Sequence, residues 1–294
     1  MYHKRFFAQT RIGYRVFILV LLSILLPVTA SYTFAGVINV PKDYKSIQEA
    51  VDRAAEGDTV LVAPGSYVEN IYVTKKLSLQ ATGGYEGTVI KAKLPSASVV
   101  TVEGVDGFLI SGFTLEGSKH AGVHFRRVTG STITENLAKN NLMGIYIEYS
   151  SKNEISKNIT TKNADGINLH FSYRNKLTAN ESYSNREKGI VLYSSNGNTL
   201  TLNEATSNVW DGITIWNSKK NLLTSNVAVG NTYAIVINND DNELVDNRTM
   251  RRLYYVLPIV LIYLALVLYN LEKRIFRYIY KVKPKGVGPK RWQK

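Results

Sequence analysis

Residues 144–165 read GIYIEYSSKNEISKNITTKNAD, and residues 166–188 read GINLHFSYRNKLTANESYSNREK. Both segments belong to a unit that occurs six times between Gly122 and Asn247. The opening residues of the six units are separated by 22, 22, 23, 23 and 22 positions: Gly122, Gly144, Gly166, Gly189, Gly212 and Ala234. Repeats of roughly 20–50 residues are typical of solenoids, in which each unit packs against its neighbours. The stretch therefore predicts a solenoid.

Three short strands can be recognised within each unit. Apolar residues stand one and three places after the opening residue, as in Ile145 and Ile147, and this alternation has the period of a β-strand. A further apolar residue follows at the eleventh place, as in Ile155, and a small residue follows at the sixteenth, as in Thr160. Three strands in 22–23 residues predict an all-β fold, a parallel β-helix.

Asparagine marks the turns between the predicted strands. It recurs nine, fourteen and nineteen places after the opening residue, as in Asn153, Asn158 and Asn163. Asn tolerates the left-handed backbone conformation, and its amide can bond the backbone of a turn. We interpret the three columns as structural ladders of stacked amides.

Composition excludes several classes of site. The 294-residue chain has no cysteine, which rules out a disulfide scaffold, thiolate metal ligands and a cysteine nucleophile. The net charge of +13 comes from the two ends, because residues 36–247 carry 20 basic and 22 acidic side chains. A nucleic-acid partner is therefore not predicted.

The two ends have the patterns of membrane-targeting segments. Residues 1–30 combine four basic residues with an apolar run and predict a signal peptide, or alternatively an uncleaved anchor. Residues 253–271 contain no charged side chain and predict a transmembrane helix, followed by a basic cytoplasmic tail at 272–294. The β-helix, residues 36–247, is then expected outside the cytoplasm, attached to the cell membrane by a single span.

The segment before the repeats carries a recognisable opening. Val37–Pro41 predicts a strand, Ser46–Glu49 has the form of a capping box that starts a helix closing the solenoid end, and Pro64–Tyr67 predicts a turn. The motifs Asn39-Val-Pro-x-Asp-Tyr-x-Ser-Ile-Gln48 and Gly57-Asp-Thr-Val-x-Val-Ala-Pro-Gly-x-Tyr-x-Glu-Asn70 resemble the opening of NosD-type proteins. These are extracytoplasmic right-handed β-helices of the CASH-domain group, distantly related to pectate lyases and polygalacturonases.

The outward positions of the first strand differ from coil to coil, and they hold the candidate functional residues. Aromatic rings can take the apolar side of a sugar while carboxylates and amides bond its hydroxyls, so this strand face predicts a glycan-binding surface. The candidate ligand-binding residues are Tyr146, Glu148, His170, Tyr193, Trp210 and Trp216. Asp165 and Asp211 lie two coils apart with Lys188 between them, and they are candidate catalytic residues for hydrolysis or elimination. The opposite charges are alternatively ordinary cross-strand pairs.

A metal site is the remaining alternative. His120 and His124 belong to one coil and His170 lies two coils beyond His124, so the three are candidate ligands. The resemblance to NosD-type proteins implies copper, and calcium is the other candidate cofactor.

Three functions follow. The first is a membrane-anchored surface protein that binds a polysaccharide or glycan without turnover. The second is an accessory protein for an extracytoplasmic copper enzyme or its transporter. The third is a polysaccharide lyase, hydrolase or epimerase.

Overall fold

The chain folds as a parallel β-solenoid of right-handed type with about nine coils, which confirms the predicted architecture. The computed structural model describes residues 35–239, 241–251 and 256–281. Each complete coil contributes one strand to each of three parallel sheets, and neighbouring coils pair strand on strand. The strands are numbered β1 to β27 in chain order.

The three sheets have ten, nine and eight strands. The ten-stranded sheet contains Val37–Val40 (β1), Thr59–Val62 (β2), Ser78–Ala81 (β5), Leu109–Ser111 (β8), Thr132–Thr134 (β11), Glu154–Ser156 (β14), Lys176–Thr178 (β17), Thr199–Thr201 (β20), Leu222–Thr224 (β23) and Glu243–Val245 (β26). The nine-stranded sheet contains Gly65–Val68 (β3), Thr88–Lys91 (β6), Thr114–Glu116 (β9), Leu137–Lys139 (β12), Ile159–Thr161 (β15), Glu181–Tyr183 (β18), Glu204–Thr206 (β21), Val227–Asn231 (β24) and Arg248–Arg251 (β27). The eight-stranded sheet contains Ile71–Val73 (β4), Val100–Glu103 (β7), Ala121–Arg126 (β10), Met143–Glu148 (β13), Asp165–His170 (β16), Ile190–Tyr193 (β19), Asp211–Trp216 (β22) and Tyr233–Ile237 (β25).

The core is a stack of equivalent apolar side chains from successive coils. Ile145 pairs in register with Ile167, and Ile147 pairs with Leu169; all four side chains are fully buried. Each coil thus buries its apolar positions against the coils before and after it, which is why the repeat length in the sequence defines the fold.

The opening glycines allow the coils to approach closely. A Cβ atom on Gly122, Gly144, Gly166, Gly189 or Gly212 would lie 2.5–2.7 Å from the carbonyl oxygen of the next opening residue. No side chain fits at that distance, so glycine is required at these five positions.

The asparagine columns are buried hydrogen-bonded ladders, as predicted. Nδ2 of Asn180 donates to the carbonyl oxygen of Ile155 at 2.7 Å and to Oδ1 of Asn203 at 2.9 Å, while its own Oδ1 accepts the Asn158 amide at 3.1 Å. The asparagines were expected to adopt the left-handed backbone conformation themselves. In the structure this conformation belongs to the residue before each ladder asparagine, such as Ala179 at φ 52°. The asparagine side chain satisfies the backbone groups that this tight turn leaves without a partner.

A ladder of serines, which the sequence analysis did not identify, runs beside the asparagines. Ser150 Oγ donates to the carbonyl oxygen of Glu148 at 2.7 Å, and Oγ of Ser172 accepts the Ser150 amide at 3.1 Å. Ser195 and Ser218 continue the column. This ladder closes the turn that leads from the eight-stranded sheet to the ten-stranded sheet.

The first coil is covered by the helix Ile47–Arg53 (α1), whose Ile47, Ala50 and Val51 are buried. Ser46 accepts the Glu49 amide at 3.1 Å, as the capping box predicts. The Glu69 carboxylate, more than twenty residues away, accepts the amides at 47 and 48 at 3.0 Å each. A carboxylate at a helix N-terminus is favourable because the first amides have no partner within the helix.

The segment Gly84–Gly87 forms a single helical turn (α2) after β5. One local prediction in this region was wrong: the expected turn at Pro64–Tyr67 is largely strand β3. Proline and glycine indicate a turn by frequency alone, whereas here the pairing of β3 with β6 determines the backbone.

The last coil is followed by the helix Val256–Lys281 (α3). In the part of the chain that the structure describes, no helix combines the length and the apolar character that crossing a bilayer requires. The predicted span at 253–271 begins in residues 252–255, which lie outside the described residues. The predicted signal segment at 1–30 and tail residues 282–294 lie outside them as well.

Candidate functional site

The outward side chains of the eight-stranded sheet form columns along the solenoid axis, as the repeat alignment predicts. One column joins His124, Tyr146, Asn168, Val191, Thr214 and Val236. A second column joins Arg126, Glu148, His170, Tyr193 and Trp216. Paired strands lie about 4.8 Å apart, so column neighbours are in contact range.

A compact group of rings occupies the start of this face. The His124 ring centroid lies 4.9 Å from that of His120 and 4.8 Å from that of Tyr146, with the Tyr146 ring stacked at 19°. Burial lowers the pKa of His120. Burial, assisted by the neighbouring His120, lowers the pKa of His124 to about 4 although Glu148 opposes the shift. At neutral pH the 3.3 Å contact between His124 Nε2 and Glu148 Oε2 is therefore a hydrogen bond from a neutral imidazole.

The carboxylates beside these rings already have protein partners. Glu103 lies 3.3 Å from the Arg126 guanidinium, and its other oxygen accepts the Tyr72 hydroxyl at 2.8 Å. Glu148 Oε2 lies 3.9 Å from Arg126 Nε as well as next to His124. A hydrogen bond from Glu148 to a bound sugar would therefore compete with its contacts to Arg126 and His124.

An exposed row of rings runs along one edge of the sheet, and we call it the aromatic strip: Tyr149, His170, Phe171, Tyr193 and Trp216. The rings of Tyr149 and Phe171 are parallel at 5.3 Å, and the His170 ring lies 4.4 Å from Phe171 and 5.3 Å from Tyr193. Tyr193 is 42% exposed, and Trp216, its partner in register, is 48% exposed. The strip presents ring surface to solvent over several consecutive coils.

The predicted catalytic residues lie at the opposite edge of the sheet, where strands β16 and β22 begin. We call this surface the acidic edge, and it consists of Asp165, Lys188, Trp210 and Asp211. Asn168 donates to Asp165 Oδ2 at 3.2 Å, while Asp165 Oδ1 is buried without a protein partner among the described residues. Burial raises the pKa of Asp165, and the nearby Lys188 partly offsets that effect. Asp211, also buried, accepts the Thr214 hydroxyl at 2.7 Å.

The structure thus divides the predicted site residues into two groups. Trp210 precedes β22 and Trp216 ends it, so the backbone positions of the two tryptophans are about 20 Å apart along the strand. Trp210 is 54% exposed, and the Lys188 ammonium lies 6.0 Å from its ring centroid. Trp216 belongs to the aromatic strip instead. A ligand lying along one edge would contact only one of these tryptophans.

The three candidate metal ligands do not converge. His120 and His124 are adjacent, but the Tyr146 ring lies beside His124, and its hydroxyl is 3.3 Å from His170 Nδ1. His120 Nδ1 is also occupied, at 2.7 Å from Ser98 Oγ. Across residues 35–239 and 241–251, no three His, Asp or Glu side chains are arranged to hold a metal ion. The described residues therefore do not fit a three-ligand copper or calcium site.

Sequence reasoning missed three contributors to this surface: Tyr149, Phe171 and Asn168. Tyr149 and Phe171 lie five places after their opening glycines, one place beyond the predicted strand positions, and both have positive φ angles of 47°. The signal for Asn168 was the alignment column that it shares with Tyr146.

Comparison with known families gives one match over more than half of the chain. The family model described as "Periplasmic copper-binding protein (NosD)" matches residues 78–251. The match begins after the opening motifs at 39–70 and ends with the last strand. A curated "Cell surface glycoprotein" from Methanothermus fervidus is 35% identical over 127 residues, which are 41% of this chain and 21% of that protein.

Solved structures share the fold. A periplasmic alginate epimerase, AlgG, superposes with a TM-score of 0.57 at 19% identity, over 73% of this chain and 55% of that chain. An alginate lyase from Paenibacillus sp. str. FPU-7 superposes with a TM-score of 0.55 at 11% identity, over 72% of this chain and 95% of that chain. The chain spans about a fifth of the curated relative and about half of the epimerase, and at these identities the structural likeness concerns the fold alone.

Proposed function

The chain belongs to the NosD family of β-helix proteins, and we propose that it is an extracytoplasmic protein that binds a polysaccharide along the aromatic strip. The family description and the cell-surface relative support a location outside the cytoplasm. The observation that carries the binding proposal is the in-register row of rings His170, Tyr193 and Trp216, of which His170 is half-buried and the other two are exposed.

The strip has the composition that sugar binding requires. Exposed rings bury the apolar side of a pyranose without a large loss of side-chain entropy, because tyrosine and tryptophan have few rotatable bonds. Rings that repeat along the solenoid axis can contact successive residues of one polymer. Tyr193 and Trp216 expose apolar ring surface to solvent without an evident role in packing the solenoid. Exposed apolar surface of this kind is typical of binding sites.

We propose that the chain is held at the cell membrane by residues 253–271, with its basic tail in the cytoplasm. The support is the absence of charge over this segment and the excess of Lys and Arg that follows it. This attachment would keep the β-helix next to the envelope polymers that it binds.

The decisive experiment measures polysaccharide binding by the purified full-length chain and three variants on a glycan array. Trp216→Ala and Tyr193→Ala should each weaken binding by about tenfold or more, since truncating a central aromatic contact typically costs 2 kcal/mol or more. Tyr183→Ala is the matched control, because Tyr183 is similarly exposed but lies on the nine-stranded sheet. Equal losses for all three variants, or no loss for any, would contradict the assignment.

A second function, polysaccharide lyase, epimerase or hydrolase activity, is favoured by the state of Asp165. A carboxyl group whose pKa burial raises keeps its proton to higher pH and can donate it. Asp211 lies two coils away, about 10 Å along the axis, with Lys188 between them. Asp165→Asn and Asp211→Asn should both abolish formation of new reducing ends by a hydrolase, of unsaturated products by a lyase or of inverted sugar stereocentres by an epimerase, and unchanged activity in either variant would exclude that residue.

The family description names a copper-binding protein, which favours an accessory role for a copper enzyme as a further candidate, and the adjacent His120 and His124 are the residues that could contribute to it. Calorimetric titration of copper into the parent and into a His120→Gln/His124→Gln variant tests this role. Identical heats in both proteins would exclude the pair as a binding site.

A further inference from the structure

A cavity of about 420 Å³ lies in the turn that leads from the eight-stranded sheet to the ten-stranded sheet. We call it the turn pocket, and its lining includes Lys152, Tyr173, Arg174, Asn196, Gly197 and Lys220. It lies outside the aromatic strip and outside the acidic edge. All the charged side chains that line it are basic.

The basic residues are stacked by the repeat. The Lys152 amide donates to the carbonyl oxygen of Tyr173, the Arg174 amide to that of Asn196, and the Gly197 amide to that of Lys219. Lys152, Arg174, Gly197 and Lys220 therefore occupy one column on four successive coils. Their φ angles are 55–65°, so they share one backbone conformation.

Gly197 makes the cavity. It is the member of this column without a side chain, and a Cβ there would have Arg174 Cγ at 3.8 Å as its nearest neighbour. The missing side chain leaves a notch between Arg174 on one side and Lys220 on the other. The same left-handed backbone conformation occurs at Lys152, Arg174 and Lys220, all of which carry a side chain. The backbone conformation at position 197 therefore does not by itself require glycine.

The cations of the turn pocket have no ion-pair partner in the part of the chain that the structure describes. Among residues 35–239 and 241–251, no carboxylate lies within 4.0 Å of the side-chain nitrogens of Lys152, Arg174 or Lys220, and these nitrogens make no hydrogen bond. Other outward cations do find acids, as in Lys91 with Glu116 at 3.3 Å. Like charges stacked on neighbouring strands are destabilising unless an anion neutralises them.

The aromatic surroundings suit a sugar that carries the anion. Tyr173 is 41% exposed in the pocket wall, and the parallel rings of Tyr149 and Phe171 stand two to three residues earlier in the same turns. A sugar ring resting on these side chains would place an acidic substituent among the cations. Arginine binds carboxylate and sulfate with two parallel hydrogen bonds, and lysine adds charge.

We propose that the turn pocket is an anion-binding subsite that recognises the carboxylate or sulfate groups of an acidic polysaccharide. This inference rests on the proposed function and extends it, because it predicts that the bound polymer is negatively charged. It places the recognition of charge on the turn and the stacking of sugar rings on the aromatic strip.

The test measures the affinity of the full-length chain for polygalacturonate, dextran sulfate and neutral dextran. Arg174→Gln should weaken binding of at least one acidic polymer by about tenfold, the typical effect of losing a charge-assisted hydrogen bond. The polymer that responds identifies the acid group. Lys162→Gln is the matched control, since Lys162 is an exposed lysine with φ 58° on another turn, and it removes the same charge. Equal losses in the two variants would show a general charge effect and overturn the proposal.

Gly197→Asn tests the cavity without changing the charge. Asparagine tolerates the left-handed conformation, so the variant should fold while its side chain fills the notch. It should reduce acidic-polymer binding by about fivefold or more; unchanged binding would overturn the pocket as the site.

The failure of the proposed function would give a different pattern. If the aromatic strip does not bind glycan, Trp216→Ala will leave all binding unchanged, but inorganic sulfate and galacturonate should still raise the melting temperature of the parent and not of Arg174→Gln. If neither anion produces that difference, the turn pocket is not an anion site.

Discussion

The ring of Tyr146 is stacked on the ring of His124, with 4.8 Å between centroids and 19° between planes. The contact excludes water from one side of the imidazole, and His120 packs against it from another direction at 4.9 Å. A buried imidazole favours its neutral form because the charged form loses hydration. This packing therefore couples the stability of the β-helix to pH.

We expect the protein to lose stability as pH falls from about 6.5 to about 4. His124 has a pKa of about 4 in the folded state and an ordinary value of 6.5 when unfolded. Between these values the unfolded chain binds a proton that the folded chain does not, so acid favours unfolding. The difference corresponds to a loss on the order of 3 kcal/mol for this residue. Denaturant titrations of the parent and of His124→Gln at pH 7, 5.5 and 4 measure it.

His124→Gln should flatten that part of the stability profile, because glutamine does not titrate. Glu148→Gln provides an internal check. The Glu148 carboxylate opposes the lowering of the His124 pKa, so its removal should lower that pKa further, extend the loss of stability to lower pH and make the total loss larger. Parallel profiles for the parent and His124→Gln would contradict the burial argument.

Asp165→Asn should stabilise the protein at pH 7. Burial raises the pKa of Asp165, and one of its oxygens has no protein partner among the described residues, so the ionised form is costly in the folded state. Above the ordinary value of 3.8 the unfolded chain releases this proton more readily, and stability falls as pH rises. We expect a gain of about 1 kcal/mol at pH 7 that disappears below pH 4.

Asp211→Asn is the matched substitution on the same edge. Its carboxylate already accepts the Thr214 hydroxyl at 2.7 Å, and an asparagine oxygen can accept the same bond, so no comparable gain is expected. A loss of stability in Asp165→Asn at pH 7 would show that its carboxylate is needed for folding. That result would remove the argument for a proton donor.

The fold could be predicted from the sequence because every coil obeys the same local requirements. Gly144 recurs as Gly166 because the carbonyl of the next coil leaves no room for a Cβ, and Asn158 recurs as Asn180 because each turn has the same unpaired backbone groups. Ala234 replaces the opening glycine in the last repeat, where no further repeat among the described residues brings a carbonyl oxygen close to its Cβ. The irregular early coils were less predictable, since β3 depends on pairing with β6 rather than on its own Pro-Gly sequence.

The site could be predicted only in part, because its residues are the ones that do not repeat. The alignment placed His170, Tyr193 and Trp216 in one column, and the structure confirms their register. It could not show that Trp210 stands at the other edge, or that Arg126 and His124 already engage Glu148. The turn pocket was hidden for a related reason: it results from a side chain that is missing at Gly197.

Gly212→Ala should be strongly destabilising, whereas Ala234→Gly should have a small effect. A Cβ on Gly212 would stand 2.6 Å from the Ala234 carbonyl oxygen, so the last two coils would have to separate. Overpacking of this kind typically costs 1–3 kcal/mol. Ala234 opens the last of the repeats, and its replacement changes mainly backbone entropy, about 0.5–1 kcal/mol. Thermal unfolding monitored by circular dichroism distinguishes the two, and equal shifts would contradict the close-approach explanation.

Substitution of Trp210 and of Trp216 should show in which direction a bound polysaccharide lies on the sheet. If the polymer follows the aromatic strip, Trp216→Ala should weaken binding about tenfold and Trp210→Ala should leave it within about twofold, because some 20 Å of strand separates them. If the polymer instead crosses the sheet toward Asp165 and Asp211, both substitutions should weaken binding. Trp210 and Trp216 have similar exposure, 54% and 48%, so each serves as the control for the other. Loss of binding in Trp210→Ala alone would place the ligand on the acidic edge and favour the enzymatic function over passive binding.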